Sequence, residues 1–433
     1  MKLFQKMLVA TAAVSFVAPI AAQASDVINL DGIDSYSNSK KSSARIDSKT
    51  FVNEINEDIA TLKGRVDGLE AQQNNFEAGS FSDTTSLSGK AVFVVGAIDH
   101  PETDAEATDG IENESLQAQY QYTMDLNTSF TGDDNLYVRL RTGNGEDAAE
   151  PFGETKYGTY LVSNSDKYSD TLAVDKIWYQ FPVGERNTIW VGPKIENYYM
   201  HATAPSIYKP ITKQFTLGGN AAAYGASTKT GVGWAYKADN GFAFSSNVVS
   251  AGNSQTGFIT DESDTSWANQ IGYTTDNYSA SLMVNLKYNG WADSYFSTSN
   301  GKLRTNANST NYGLRAWWRP DDSGTATPSI SLGYDFSSID ATGLAADEDE
   351  TDAWFVGLNW TDTINADDKI GIAFGQPQTR EDETVEPFAW EAYYEYKVND
   401  SVTVTPSVFG ATDRNGSVGG DVTGALVQTT FKF

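Results

Sequence analysis

The 433-residue chain contains no cysteine and only two histidines, His100 and His201. Without cysteine an exported protein has no disulfide framework, and two histidines leave little from which to build a zinc site. No cofactor motif stands out, so none is expected. Past residue 24 no run approaches the roughly 18 consecutive apolar residues that a membrane helix needs, which excludes a helical membrane protein. It does not exclude one built of strands, where only every second residue need be apolar. Basic residues are also few: 30 Lys and Arg stand against 57 Asp and Glu, a formal charge of −27. Phosphate backbones are bound by clustered Lys and Arg, so a nucleic-acid partner is excluded. Hydrolase parts are missing as well, since no G-x-S-x-G occurs and both histidines fall in expected loops.

The chain opens as a signal peptide would, over residues 1–24: Lys2 and Lys6 precede an apolar stretch from Met7 to Ile20, and Ala22-Gln23-Ala24 is an A-x-A cleavage site. Residues 25–50, rich in Ser, Asn and Asp, read as a flexible linker. From residue 51 to 77 the apolar residues Val52, Ile55, Ile59, Leu62, Val66, Leu69 and Phe76 are spaced alternately three and four apart, with Gln73 the one polar break. That spacing is a heptad seam. In a parallel pairing Asp58 faces Lys63 and Arg65 faces Glu70. Both contacts are attractive, so the segment is expected to form a coiled coil between identical chains.

From residue 87 to 433 the period is two. Leu116, Ala118, Tyr120, Tyr122, Met124 and Leu126 alternate with Gln117, Gln119, Gln121, Thr123 and Asp125, an apolar face against a wet one. Sixteen such strands are expected, near 87–98, 115–127, 134–143, 171–182, 187–194, 226–238, 241–251, 266–275, 278–288, 309–319, 328–338, 352–361, 367–375, 387–398, 400–411 and 421–433. Connections alternate between tight turns, such as Asp239-Asn240-Gly241 and Asn399-Asp400, and long loops at 99–114, 144–170, 195–225 and 289–308. Outer-membrane barrels place short turns on one rim and long loops on the other. The expected fold class is therefore an all-β transmembrane barrel of about 16 antiparallel strands, preceded by an α-helical coiled-coil segment.

The segment Met124 to Asn144, MDLNTSFTGDDNLYVRLRTGN, resembles a hairpin of cyanobacterial porins: a Leu-x-Thr-Ser-Phe-Thr-Gly turn followed by an arginine-bearing strand and Gly-Asn. The stretch Trp178 to Gly192 with its Phe-Pro-Val-Gly turn, the coiled coil ahead of the barrel and the terminal Phe433 extend the likeness over most of the chain. These proteins belong to the carbohydrate-selective (OprB-like) porin family. The resemblance implies passive passage of small hydrophilic solutes, such as ions, sugars or other nutrients, across the cell outer membrane. It also implies lipid and lipopolysaccharide around the barrel, the barrel-assembly machinery reading Phe433, and a parallel homo-oligomer, expected to be a trimer, joined by a periplasmic coiled coil. One departure is that such proteins usually carry an S-layer-homology domain before the coiled coil, for which residues 25–50 are too few.

Alternation puts Arg139, Arg141, Arg315 and Arg319 on the lumen face, joined by Lys176, Lys194 and Lys287 and by the carboxylates Asp125, Asp335, Glu391 and Glu395. Mixed signs around a pore wall impose a transverse field, or else the arginines pair with those carboxylates and only fill the lumen. The loop 195–225, carrying Tyr198, Tyr199, His201, Tyr208, Lys209 and Lys213, is the candidate to fold inward as a constriction. Acidity concentrates in loops: seven carboxylates lie between Asp99 and Glu114, four between Asp347 and Glu350, and more between Glu381 and Glu386. A channel is the leading reading. A structural envelope tether and a barrel-type outer-membrane hydrolase are the alternatives.

Overall fold

A computed structural model describes residues 80–82, 84–99, 116–145, 152, 161–163, 170–289, 291, 308–321, 327–340, 349–381, 383–413 and 421–433. The signal peptide, linker and coiled coil read from the sequence, including Ile55, Ile59, Leu62, Val66, Leu69 and Phe76, lie outside these residues, as does His100. A three-residue strand, β1 (Ser80–Ser82), precedes sixteen longer ones. The first eight are β2 (Thr85–Asp99), β3 (Gln117–Thr128), β4 (Asn135–Gly143), β5 (Ala173–Val183), β6 (Asn187–Glu196), β7 (Thr228–Lys237), β8 (Phe242–Ser250) and β9 (Thr265–Thr274). The second eight are β10 (Tyr278–Tyr288), β11 (Asn308–Trp318), β12 (Ser329–Asp340), β13 (Glu350–Thr361), β14 (Lys369–Arg380), β15 (Phe388–Asn399), β16 (Val402–Thr412) and β17 (Val422–Lys432). Each pairs antiparallel with its sequence neighbours, and β17 pairs with β2 from Thr423↔Asp99 to Lys432↔Lys90. The barrel is thus closed at sixteen strands, which removes the open edges that hydrocarbon could not satisfy. At the seam Phe433 exchanges backbone hydrogen bonds with Gly89, at 2.9 and 3.2 Å, and its ring stacks on Tyr122.

The distribution of side chains is the inverse of a water-soluble protein. Leu314 (52 % exposed), Ile271 (54 %) and Phe93 (49 %) point outward, whereas Gln121, Ser245, Asn247, Gln270, Asn285 and Asn311 are buried inside. Apolar side chains on the outer face are stable only where lipid replaces water, and polar ones inside only where they bond each other or line an aqueous lumen. Outward aromatics gather near the tight-turn rim, with Phe242 4.8 Å from Tyr273 and Trp234 5.6 Å from Phe244. Such a girdle suits the membrane–water interface.

The hairpin that carried the family resemblance has a local cause. Between β3 and β4 the Asp134 carboxylate accepts hydrogen bonds from the Phe130 and Thr131 amides (2.9 and 2.8 Å) and from the Ser129 and Thr131 hydroxyls, while Tyr179 on β5 donates at 2.6 Å. Gly132 takes φ +100°, open to glycine. The Tyr179 hydroxyl, joined by these backbone and side-chain donors, holds Asp134 well below the usual carboxylate range.

Candidate functional site in the barrel lumen

The connection from β6 to β7, residues 197–227, does not project from the barrel. It turns inward through a 3-10 turn at Asn197–Met200, a second at Lys213–Gly218 and one α-helical turn at Ala221–Tyr224. Its 31-residue sequence contains no Asp or Glu, so carboxylates of the wall can seat it without repulsion.

On β8 to β10 the wall offers amides and hydroxyls. Asn197 donates to Asn247 at 2.7 Å, the Ala202 amide donates to Ser245, and Gln270 accepts from the Thr203 amide at 2.9 Å while its own amide donates to the Tyr224 hydroxyl. On β11 and β12 the seat is ionic. Arg315 and Asp335 pair at 2.8 Å with both side chains 1 % exposed. Arg315 Nε donates to the Leu217 carbonyl at 2.7 Å, its guanidinium lies 4.6 Å from the Tyr224 ring centroid, and Asp335 accepts from the Asn220 amide at 2.9 Å. The loop then reaches β15, eight strands round the ring from β7 and therefore on the opposite side. There Glu391 accepts from the Tyr208 hydroxyl (2.8 Å), the Ile211 amide (3.0 Å), the Thr212 amide (2.8 Å) and the Thr212 hydroxyl. The inserted segment crosses the lumen from one side to the other.

Close backbone approach fixes one more point. A Cβ added at Gly333 on β12 would lie 1.7 Å from the Gly218 carbonyl oxygen, so only glycine permits this seat. Replacement Gly333→Val is expected to leave the barrel assembled, because side chains of neighbouring wall positions face the same way, and to lift the loop from β12. Heat-resistant migration on electrophoresis would report the first effect and increased loop proteolysis the second.

The residues expected to line the pore fall into separate groups. Arg139, Arg141 and Lys176 come together with Tyr198 and Tyr199 on the β4 to β6 wall. Arg139 bonds Asp125 (2.8 Å) and the Tyr199 hydroxyl (3.1 Å), Arg141 lies 3.7 Å from Asp175, and Lys176 pairs with Glu196. Tyr137, Trp178, Tyr199 and Tyr198 form a continuous stack with centroid separations of 4.1, 4.5 and 4.3 Å. Arg315 and Glu391 do not face open lumen, contrary to expectation: the inserted loop seals both. Arg319 lies just beyond the end of β11, exposed at the tight-turn rim, where its guanidinium sits 5.7 Å from the Trp317 ring centroid. Lys194 is displaced by bulges at Gly192/Ile195 and Ile177/Tyr179, which break the alternation, and its ammonium donates to the Val174 carbonyl. Glu395 pairs with Lys369 at 3.2 Å. Of the loop residues, Tyr208 is a buried anchor, Lys209 is exposed and Lys213 half-buried.

His201 is also an anchor, between the Asn247 side chain (3.2 Å) and the Tyr224 carbonyl (3.1 Å). Burial, aided by the charge of Arg315 and opposed by the Tyr224 bond, brings its imidazole from 6.5 down to about 4. A freed loop would protonate near 6.5, so the contribution to loop seating is present above that value and is lost as pH falls from about 6.5 through about 4. Single-channel current is expected to grow noisier between pH 6 and 4, and His201→Gln to weaken that dependence.

Lys90 on β2 was not singled out by the sequence. It shares the inward face with Val92 and Val94, opposite to outward Phe93, yet is exposed, as a lysine standing in a water-filled lumen would be. Its even-numbered face carries two valines, so no polar stripe marked it.

Comparison with known proteins bears on this geometry. Residues 45–433 match the family model of the carbohydrate-selective porin, OprB family. The chain belongs to that family. An uncharacterised protein of Nostoc sp. is 26 % identical over 427 residues, covering 88 % of this chain and 71 % of its own. A second, from Synechocystis sp., is 26 % identical over 145 residues, 33 % of this chain and 25 % of its own. Among solved structures, OprB of Pseudomonas putida at high pH superposes with a TM-score of 0.57 at 10 % identity, covering 81 % of this chain and 94 % of that one. The channel DcaP of Acinetobacter baumannii gives 0.52 at 11 % identity, with 81 % and 97 % covered; at these identities the likeness is one of fold. Family and barrel together support an outer-membrane channel for this OprB-family member.

Proposed function

We propose that the chain is a passive diffusion channel for small hydrophilic solutes, with its narrowest section set by residues 197–227. The observation that carries this is the latch of that segment onto Glu391, across the lumen from its root. Solutes then pass along the β3 and β4 wall, where the part-exposed Arg139 and Arg141 stand beside Asp125. Charged groups of both signs over a short span orient dipolar solutes and favour polar over apolar ones. Of the Tyr137–Trp178–Tyr199 stack beside those charges, Tyr199 alone is part-exposed, and an aromatic ring next to hydrogen-bonding groups suits a sugar ring. In this reading the long-loop rim faces outward, Phe433 ends in the periplasm, and the 51–77 heptads join parallel copies, most simply as a trimer. Purified protein in a planar bilayer is expected to give stable conductance steps of about a nanosiemens, as open aqueous pores do. Lipid hydrolysis without conductance would support the hydrolase alternative.

A further inference from the structure

One row of the lumen wall is out of electrostatic balance. Register places Lys432 opposite Lys90, Lys90 opposite Thr123, and Thr123 opposite Arg141, on the adjacent strands β17, β2, β3 and β4. Neighbouring strands lie about 4.8 Å apart, so Lys90 and Arg141 straddle Thr123 at roughly 10 Å between Cα atoms. One step along the strands, Arg139 is satisfied by Asp125 and Tyr199, and Lys176 by Glu196. The row itself contains no carboxylate. Lys90 and Lys432 are exposed and have no ion-pair partner among the described residues, and Lys90 is within electrostatic reach of three cations, Arg139, Arg141 and Lys432, against one carboxylate, Asp125. Among the described residues Arg141 makes only the long contact with Asp175, and its Nε is buried without a hydrogen-bond acceptor. Thr123 is 2 % exposed, and among the described residues its hydroxyl has no partner either. Unsatisfied buried donors cost about 1–3 kcal/mol each, and a run of donors with no acceptor asks for an anionic ligand.

We propose that Lys90, Thr123, Arg141 and Lys432 form a binding subsite in the lumen for a tetrahedral oxyanion of the phosphate type. Two ammonium groups supply charge from one side, Arg141 Nε supplies a directed donor from the other, and the Thr123 hydroxyl between them gains the acceptor it lacks. Of the carboxylates near the row, Asp125 is held by Arg139 and Tyr137, and Asp175 stands on β5, the strand beyond Arg141. The subsite would retain phosphate, free or carried on a small organic solute, longer than chloride as it passes. The proposal rests on the channel reading for its purpose but not for its test.

The test uses the full-length protein in detergent and radiolabelled inorganic phosphate at pH 7. Wild type is expected to bind phosphate saturably, with chloride a poor competitor. Lys90→Gln and the isosteric Thr123→Val should each bind about tenfold more weakly, the loss of one charged or buried hydrogen bond, with unchanged heat-resistant migration. Competition by a sugar phosphate that exceeds inorganic phosphate supports the subsite with an organic solute as its source; the reverse order supports it with free phosphate. No saturable binding by wild type, or equal binding by wild type and both variants, overturns the subsite. Planar-bilayer current separates the two ideas: phosphate binding without any conductance refutes the channel and keeps the subsite, whereas conductance insensitive to phosphate with no binding does the opposite.

Discussion

Glu391→Ala is expected to free residues 197–227 from β15 and to raise single-channel conductance. The carboxylate accepts four hydrogen bonds from the loop and is 1 % exposed. Hydrogen bonds to charged groups contribute about 1.5–3 kcal/mol apiece, and those on a shared acceptor are not additive, so about 3 kcal/mol of seating free energy is at stake. That corresponds to a roughly hundredfold shift towards the released loop. The variant also strands the Ile211 and Thr212 amides away from water, which adds to the release. Glu391→Gln keeps one acceptor oxygen and should fall between. The barrel itself is expected to survive, because β14, β15 and β16 are held by backbone pairs that do not involve the side chain.

Breaking the Arg315–Asp335 pair from one side should be more damaging than removing both members. Either Arg315→Ala or Asp335→Ala leaves the other charge sealed beneath the loop, a cost of about 3–5 kcal/mol for a buried pair. The loop relieves this by leaving, so both single variants should show higher conductance and easier cleavage between residues 204 and 219. The double variant Arg315→Met with Asp335→Leu removes the stranded charge and is expected to recover much of the wild-type conductance. A double-mutant cycle on loop proteolysis measures the coupling. Additive effects would mean that the two side chains seat the loop independently.

These contacts were the part of the molecule that the sequence concealed. Alternation of apolar and polar residues marks strands directly, since period two separates lipid from lumen, and all sixteen strands were legible with ends misplaced by a few residues. The sequence also offered the 195–225 segment as the candidate to turn inward. Which wall residues would receive it was not legible. Glu391 lies about 180 positions from Ile211 and Thr212, and face assignment says only that it points inward, not that a backbone will cover it. Arg315 was placed on the lumen face, and the same limit hid that the inserted loop would cover it and its partner Asp335. Lys194 and Arg319 failed differently: bulges flip the parity that alternation assumes, and β11 stops at Trp318, one residue short of Arg319. Lys90 escaped notice because its inward neighbours Val92 and Val94 pack against the inserted core rather than face water.

The central claim is that residues 197–227 lie inside a conducting barrel, against the far wall. The chain has no native cysteine, so an engineered pair reports without background. The Ile207 amide bonds the Ser331 hydroxyl at 3.1 Å, and Ile207→Cys combined with Ser331→Cys should form a disulfide in intact membranes under mild oxidation. Single-channel recording of the oxidised protein is then the direct test. Cross-linking in high yield with conductance steps equal to those of the reduced and wild-type proteins is the predicted result; failure to cross-link, or a cross-linked barrel that no longer conducts, would contradict it.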